Sequence, residues 1–129
     1  MDEHKAVLVD EVLAGLDPKA DGLYIDATFG RGGHTARILE TLGGEGRVLA
    51  LDRDPEAVAA GRLRFASEMR LALVQAAFAD LRQVVHDHAG GRPVAGVLFD
   101  LGVYLVVVGA TSLMLVALAH QSFRSQRGA

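Results

Sequence analysis

The stretch DATFGRGGH, Asp26 to His34, follows the apolar run Leu23-Tyr24-Ile25 and precedes a segment with helical spacing, Thr35 to Leu42. A strand that passes into a helix through glycines has a backbone able to come close to a ligand. Gly30, Gly32 and Gly33 lack the side chains that would hold it off, and the helix behind them offers amide donors and a positive dipole end. A plain strand-to-helix turn has the same composition, so the stretch needs support from the rest of the chain.

Arg47 to Leu51 (RVLAL) reads as a second strand, and Asp52 ends it, 19 residues beyond Gly33. A carboxylate at that point can accept both hydroxyl protons of a ribose. Asp54-Pro55 opens the next helix as N-cap and first helical residue, so Asp52 is not needed for capping. Leu71 to Gln75 is a third strand, Phe78 to His88 a third helix, Gly90-Gly91-Arg92-Pro93 a turn and Val94 to Asp100 a fourth strand. Upstream, Val7, Leu8, Val12, Leu13 and Leu16 recur at helical spacing until Asp17-Pro18 stops them. Strands this continuously apolar, alternating with helices, imply βαβ units. The expected fold is α/β, a partial Rossmann-like parallel sheet of about four strands covered on both faces. Its ligand site belongs at the carboxyl ends of the strands.

Each strand end carries a candidate. Asp26 precedes the glycine turn and is placed either to meet a cationic ligand or to order the loop. Phe78, after the third strand, is read either as a platform for an adenine ring, with Asp80 near its exocyclic amine, or as a core phenylalanine. Asp100 ends the fourth strand, where a group faces both a reactive centre and an incoming nucleophile; a helix cap is the plainer reading. His34 either touches a ligand carboxylate or is solvated. With no histidine or cysteine at ligand spacing it is not part of a metal site. A dinucleotide fingerprint would need glycine where Thr35 or His34 stands. The pattern therefore favours S-adenosyl-L-methionine over a nicotinamide dinucleotide.

Composition narrows the classes further. The 129 residues suit one domain, half of them are hydrophobic, and there is no cysteine and hence no disulfide or thiolate chemistry. The formal charge of −3 gives no overall basic footprint for nucleic acid. The acidic, briefly apolar N-terminus is not that of a signal peptide, so the expected location is cytoplasmic.

Together, VLVDEVLAGL (Val7 to Leu16), GLYIDATFGRGGHTARIL (Gly22 to Leu39), LALDRDPEAV (Leu49 to Val58), the phenylalanine of AAFADL and GVLFDLGV (Gly96 to Val103) resemble the bacterial 16S ribosomal RNA cytosine-N4 methyltransferase family, RsmH or MraW. The resemblance implies a class I methyltransferase fold that contacts S-adenosyl-L-methionine through Gly32, Gly33, His34, Asp52, Phe78 and Asp100. It also implies transfer of the methyl to the exocyclic amine of a cytidine in small-subunit ribosomal RNA. Asp100 would be the catalytic acceptor that holds the amine's hydrogens. Beyond Val103 the family pattern stops, and Val107 stands where the family has a cofactor-contacting glutamine. The catalytic and RNA-holding regions are thus expected to be missing.

From Leu101 to Ala119 there are 19 residues without a charge. That length nearly equals a bilayer-spanning helix of about 20 residues. The expectation is a methyltransferase part over 1–103 followed by an apolar tail, 104–129, forming a helix. The alternative function is then a single-span membrane protein, inserted through residues 104–119, that carries a methyltransferase fragment.

Overall fold

The computed structural model describes residues 2–100, 104–109 and 113–117. Along the chain these form α1 (Asp2–Leu16), β1 (Leu23–Asp26), α2 (Gly33–Thr41), β2 (Arg47–Asp52), α3 (Pro55–Arg64) and β3 (Leu71–Gln75). A 3-10 turn (Phe78–Asp80), α4 (Leu81–His88), β4 (Val94–Asp100), β5 (Tyr104–Val108) and β6 (Leu113–Ala117) follow. All six strands share one sheet, in the order β3-β2-β1-β4-β5-β6.

The first four strands are parallel. Connections from β1 run outward to β2 and β3 on one side, whereas β4 returns to the other side of β1. Direction of winding therefore reverses between β1 and β4, which opens a crevice at their carboxyl ends. Burial follows from the two-sided cover. On one face Val12, Leu16, Ile38 and Leu39 of α1 and α2 pack over Tyr24, Val48, Ala50 and Leu98. On the other, Val84 and its neighbours in α4 pack over Leu23, Ile25, Leu49 and Leu51. β1 and β2 have no wet side, and their runs are accordingly apolar throughout.

Two arginines hold the frame from a distance. Arg62 Nη2 donates to the Leu73 carbonyl on the edge strand β3, at 3.0 Å, and so occupies one of the groups an edge leaves free for another chain. Arg70 Nη1 donates to the carbonyls of Leu39 (3.0 Å) and Leu42 (2.9 Å), which closes the end of α2, a helix with no basic residue of its own in the last turn. The Arg70 guanidinium also grips Glu68, and their hydrogen bond holds the Glu68 carboxyl below its ordinary value of 4.5. A carboxyl lowered on folding adds stability above its ordinary value and loses that contribution as pH falls through the lowered one. Arg70→Met should cost about 2 kcal/mol in urea unfolding at pH 7. Its stability should also fall less steeply on acidification than that of the parent protein; parallel acid limbs would disprove the coupling.

The tail corrects the sequence-based expectation. Residues 104–108 and 113–117 are strands, not a helix, and they pair antiparallel with β4 and with each other. Three successive valines, Val106 to Val108, are stiff at χ1 and favour extended backbone, and β4 offers an edge to pair with. Gly109 then ends the strand. Among the described residues no helix is long and apolar enough to cross a membrane.

Candidate cofactor site

The loop after β1 remains tied to the sheet beneath it. The Ala27 amide donates to the Leu98 carbonyl of β4 and the Phe29 amide to the Leu51 carbonyl of β2, both at 2.8 Å. The glycine turn is thus suspended across the mouth of the crevice. Gly30 (φ +56°) and Gly32 (φ +83°) are both left-handed, and Gly32 is the N-cap of α2. Having no side chain, Gly32 cannot cap the helix, whose positive end is turned toward this loop.

Asp26 sits lower. It is fully buried; its Oδ2 accepts from the Thr35 hydroxyl at 2.6 Å and its Oδ1 from the Thr28 amide at 3.2 Å. Of the two roles foreseen for it, ordering the loop is the one these bonds perform. In the sequence alone Thr35 marks only the absence of a dinucleotide fingerprint. Thr35 in fact binds Asp26 from the first turn of α2 and fixes that helix against β1.

Asp26 is in register with Ala50 on β2 and Leu98 on β4. Asp52 and Asp100 therefore each stand two residues nearer the carboxyl edge than Asp26, on either side of it, which is about 6–7 Å of strand. Asp52 joins the elements of the rim. Its Oδ2 accepts from the Gly30 amide at 2.7 Å and its Oδ1 from the Asp54 amide at 2.9 Å. Asp54 caps α3 by accepting from the Glu56 amide at 2.9 Å, as its place before Pro55 foretells. An ionised carboxylate has about four acceptor positions, so Asp52 retains capacity for two further donors.

Phe78 lies in the 3-10 turn after β3 with 47% of its surface exposed. Its ring lies against Phe99 of β4, the centroids 4.9 Å apart and the planes tilted by 50°. It is neither a core residue nor isolated, but a half-open aromatic shelf. Asp80, two residues on, is exposed and makes no capping bond to α4. Gly33 and His34 occupy the first turn of α2, both half-buried. Asp100 closes β4. Val107 faces no cleft: it is fully buried with Val12, Leu16 and Tyr24 beneath α1.

A cleft of about 570 Å³ lies between the glycine loop and α3, lined by Gly30, Arg31, Asp52, Asp54, Glu56 and Arg64 among others. It takes in two of the expected residues and adds Arg64, whose Nη1 donates to the Arg31 carbonyl at 2.7 Å and steadies the loop from α3. Contacts spanning 33 residues leave no local signal in the sequence.

The match that decides the family covers residues 1–109, against the model of the MraW methylase family. The chain belongs to the MraW methylase family. It is 47% identical over 103 residues to the ribosomal RNA small subunit methyltransferase H of Coxiella burnetii (strain CbuG_Q212), covering 80% of this chain and 34% of that protein. To the protein of the same name from Dechloromonas aromatica (strain RCB) it is 52% identical over 100 residues, 78% of this chain and 32% of the relative. The chain spans about a third of the length of these curated relatives. Among solved structures it resembles an rRNA methylase from Streptococcus thermophilus (TM-score 0.55, 24% identity, 74% of this chain and 53% of that one). It also resembles an RNA methyltransferase from Salinibacter ruber in complex with S-adenosyl-L-homocysteine (TM-score 0.51, 18% identity, 74% and 77%). Both likenesses are of fold, the Rossmann-like α/β architecture of class I methyltransferases.

Proposed function

We propose that residues 1–103 of this MraW family member bind S-adenosyl-L-methionine across the carboxyl edge of the sheet, and that the methyl acceptor is N4 of a cytidine in small-subunit ribosomal RNA. The setting is the cytoplasm. The observation that carries the reading is the Asp52 carboxylate, clasped to the glycine loop by the Gly30 amide with acceptor capacity to spare. Two ribose hydroxyls would supply the donors it lacks. Gly32 and Gly33, with His34 behind them, would receive the methionine portion near the positive end of α2. Phe78 would offer its open face to the adenine, with Asp80 toward the exocyclic amine. Asp26 positions this set through Thr35 and need not touch the ligand.

When bound, the cofactor supplies a methyl group made electrophilic by a sulfonium. The protein's part would be orientation. The lone pair of a cytosine amine is conjugated into its ring, so an acceptor must hold the amine hydrogens and turn the lone pair toward the methyl. Asp100, beside β1 at the rim, is the residue we assign to that task.

A second reading has an observation of its own. Val107, which corresponds by resemblance to a cofactor-contacting glutamine, is buried in the core, so a contact to the ligand is lost. Under this reading the chain binds cofactor without turning over. Calorimetry of the 129-residue protein with S-adenosyl-L-homocysteine tests the binding claim. Binding is expected, weakened in Asp52→Ala by about 1–3 kcal/mol as the ribose bonds go; a folded protein that takes up no ligand ends the proposal. Incubation with small-subunit particles and labelled cofactor separates the two readings. N4-methylcytidine that disappears in Asp100→Ala supports catalysis, and intact binding with no product supports the binding module.

A further inference from the structure

The opposite, amino edge of the sheet holds a second cleft, of about 390 Å³, whose wall includes Arg47, Arg70, His88 and Arg92. Arg70 is engaged by Glu68 and the end of α2. Arg47 and Arg92 are different. Arg47 Nη1 donates to the carbonyls of Gly44 (2.8 Å) and Gly46 (2.7 Å), and Arg92 Nη2 donates to the carbonyl between them, that of Glu45 (2.9 Å), and to that of Asp21. Two guanidinium groups are thus fastened to three successive carbonyls of one turn. Among the described residues neither forms an ion pair. Carbonyl dipoles fix the two cations without discharging them, and bringing like charges together costs energy that an anion would recover.

Nε and Nη2 of Arg47 carry N–H groups that no bond above uses and form a fork that suits two oxygens of a phosphate, whereas Nε and Nη1 of Arg92 are left as single donors that point apart. The rest of the wall is apolar and includes Leu71, Ala72 and the fully solvated Met69, 89% exposed. The volume lies within the range of small-molecule sites and exceeds what a bare ion needs. We propose that this cleft binds a nucleotide, its phosphate between Arg47 and Arg92 and its base against Leu71, Ala72 and Met69. The nucleotide is free or is one unit of an RNA strand. Nothing in this assignment depends on methyl transfer. It also explains how a chain of net charge −3 can hold a phosphate, since the positive charge is local.

The test is a titration of the 129-residue protein with uridine 5′-monophosphate, followed by amide chemical shifts, with S-adenosyl-L-homocysteine saturating the other cleft. Uridine monophosphate should bind, and affinity should fall at least tenfold in Arg47→Gln and Arg92→Gln but not in Arg82→Gln, an exposed site on α4 outside the cleft. Should Arg92→Gln unfold, because Arg92 ties two turns, Arg47→Lys provides the second reading: it keeps the charge, loses the fork and should bind more weakly than the parent. Hexauridylate binding tighter than the monomer, with a salt slope lowered by about one in Arg47→Gln, identifies a strand, and equal affinity identifies a free nucleotide. Inorganic phosphate binding as well as the nucleotide would overturn the base contact. No binding, or binding indifferent to Arg47→Gln, would overturn the site.

Discussion

Gly32→Ala should lower the unfolding free energy by about 3 kcal/mol and abolish measurable cofactor binding. Two costs add. At φ +83° an L side chain is strained by its own backbone, and a Cβ built there meets Phe29 Cζ at 2.8 Å and Phe65 Cε2 at 3.0 Å. Neither ring can move aside cheaply. Phe29 is buried and meets Phe65 edge-on at 6.0 Å, and on its other side a Cβ on Gly61 would come within 2.5 Å of Phe29 Cε2. The ring is wedged between two glycines, and relief at Gly32 requires the loop itself to lift. Urea unfolding with and without S-adenosyl-L-homocysteine checks both parts. A loss below about 1 kcal/mol would show that the loop yields easily and that the left-handed turn is not what shapes the site.

Asp26→Ala should cost about 3–4 kcal/mol. The substitution removes a buried carboxylate and strips the Thr35 hydroxyl, also fully buried, of its acceptor. It also removes the bond from the Thr28 amide that shapes the start of the loop. Thr35→Val should cost about 2 kcal/mol, because the carboxylate then loses the 2.6 Å hydrogen bond from the hydroxyl. Since both variants break the same contact, the double variant should be about 1.5 kcal/mol more stable than the sum of the two losses predicts. Strict additivity would mean that the Asp26–Thr35 bond carries no energy of its own. Cofactor affinity should fall in all three, because the loop that presents Gly30 to Asp52 is fixed through this pair.

The sheet was readable because β1 and β2 are buried on both faces, which forces short apolar runs bounded by turn residues. The Asp54-Pro55 start of α3 was equally plain, since capping and a fixed φ are local properties. α2 begins two residues earlier than its apolar spacing suggests, because Gly32 is a left-handed N-cap that leaves no side-chain signature. The tail misled for a physical reason. An uncharged run of 19 residues fits a helix by length, but whether it becomes a helix or a pair of strands depends on an open edge at β4, and no window along the chain reports that. The positions of Asp52, the glycines and Phe78 after their strands were legible because strand ends and turns announce them, and of these Gly30 and Asp52 line the cleft. The Thr35 bond to Asp26 and the staples made by Arg64, Arg70 and Arg92 could not, since each joins segments brought together only by the fold.

The double reversal at β5 and β6 brings the chain back to the rim that it left at the end of β4. β5 descends from the level of Asp100 to that of Val97, where Val108 is its partner, and β6 climbs back until Ala117 stands beside Tyr104. Ala117 therefore stands on the same rim as Asp52 and Asp100. The antiparallel pair thus widens the sheet beyond β4 and still ends at the carboxyl edge, not at the amino edge where β4 began.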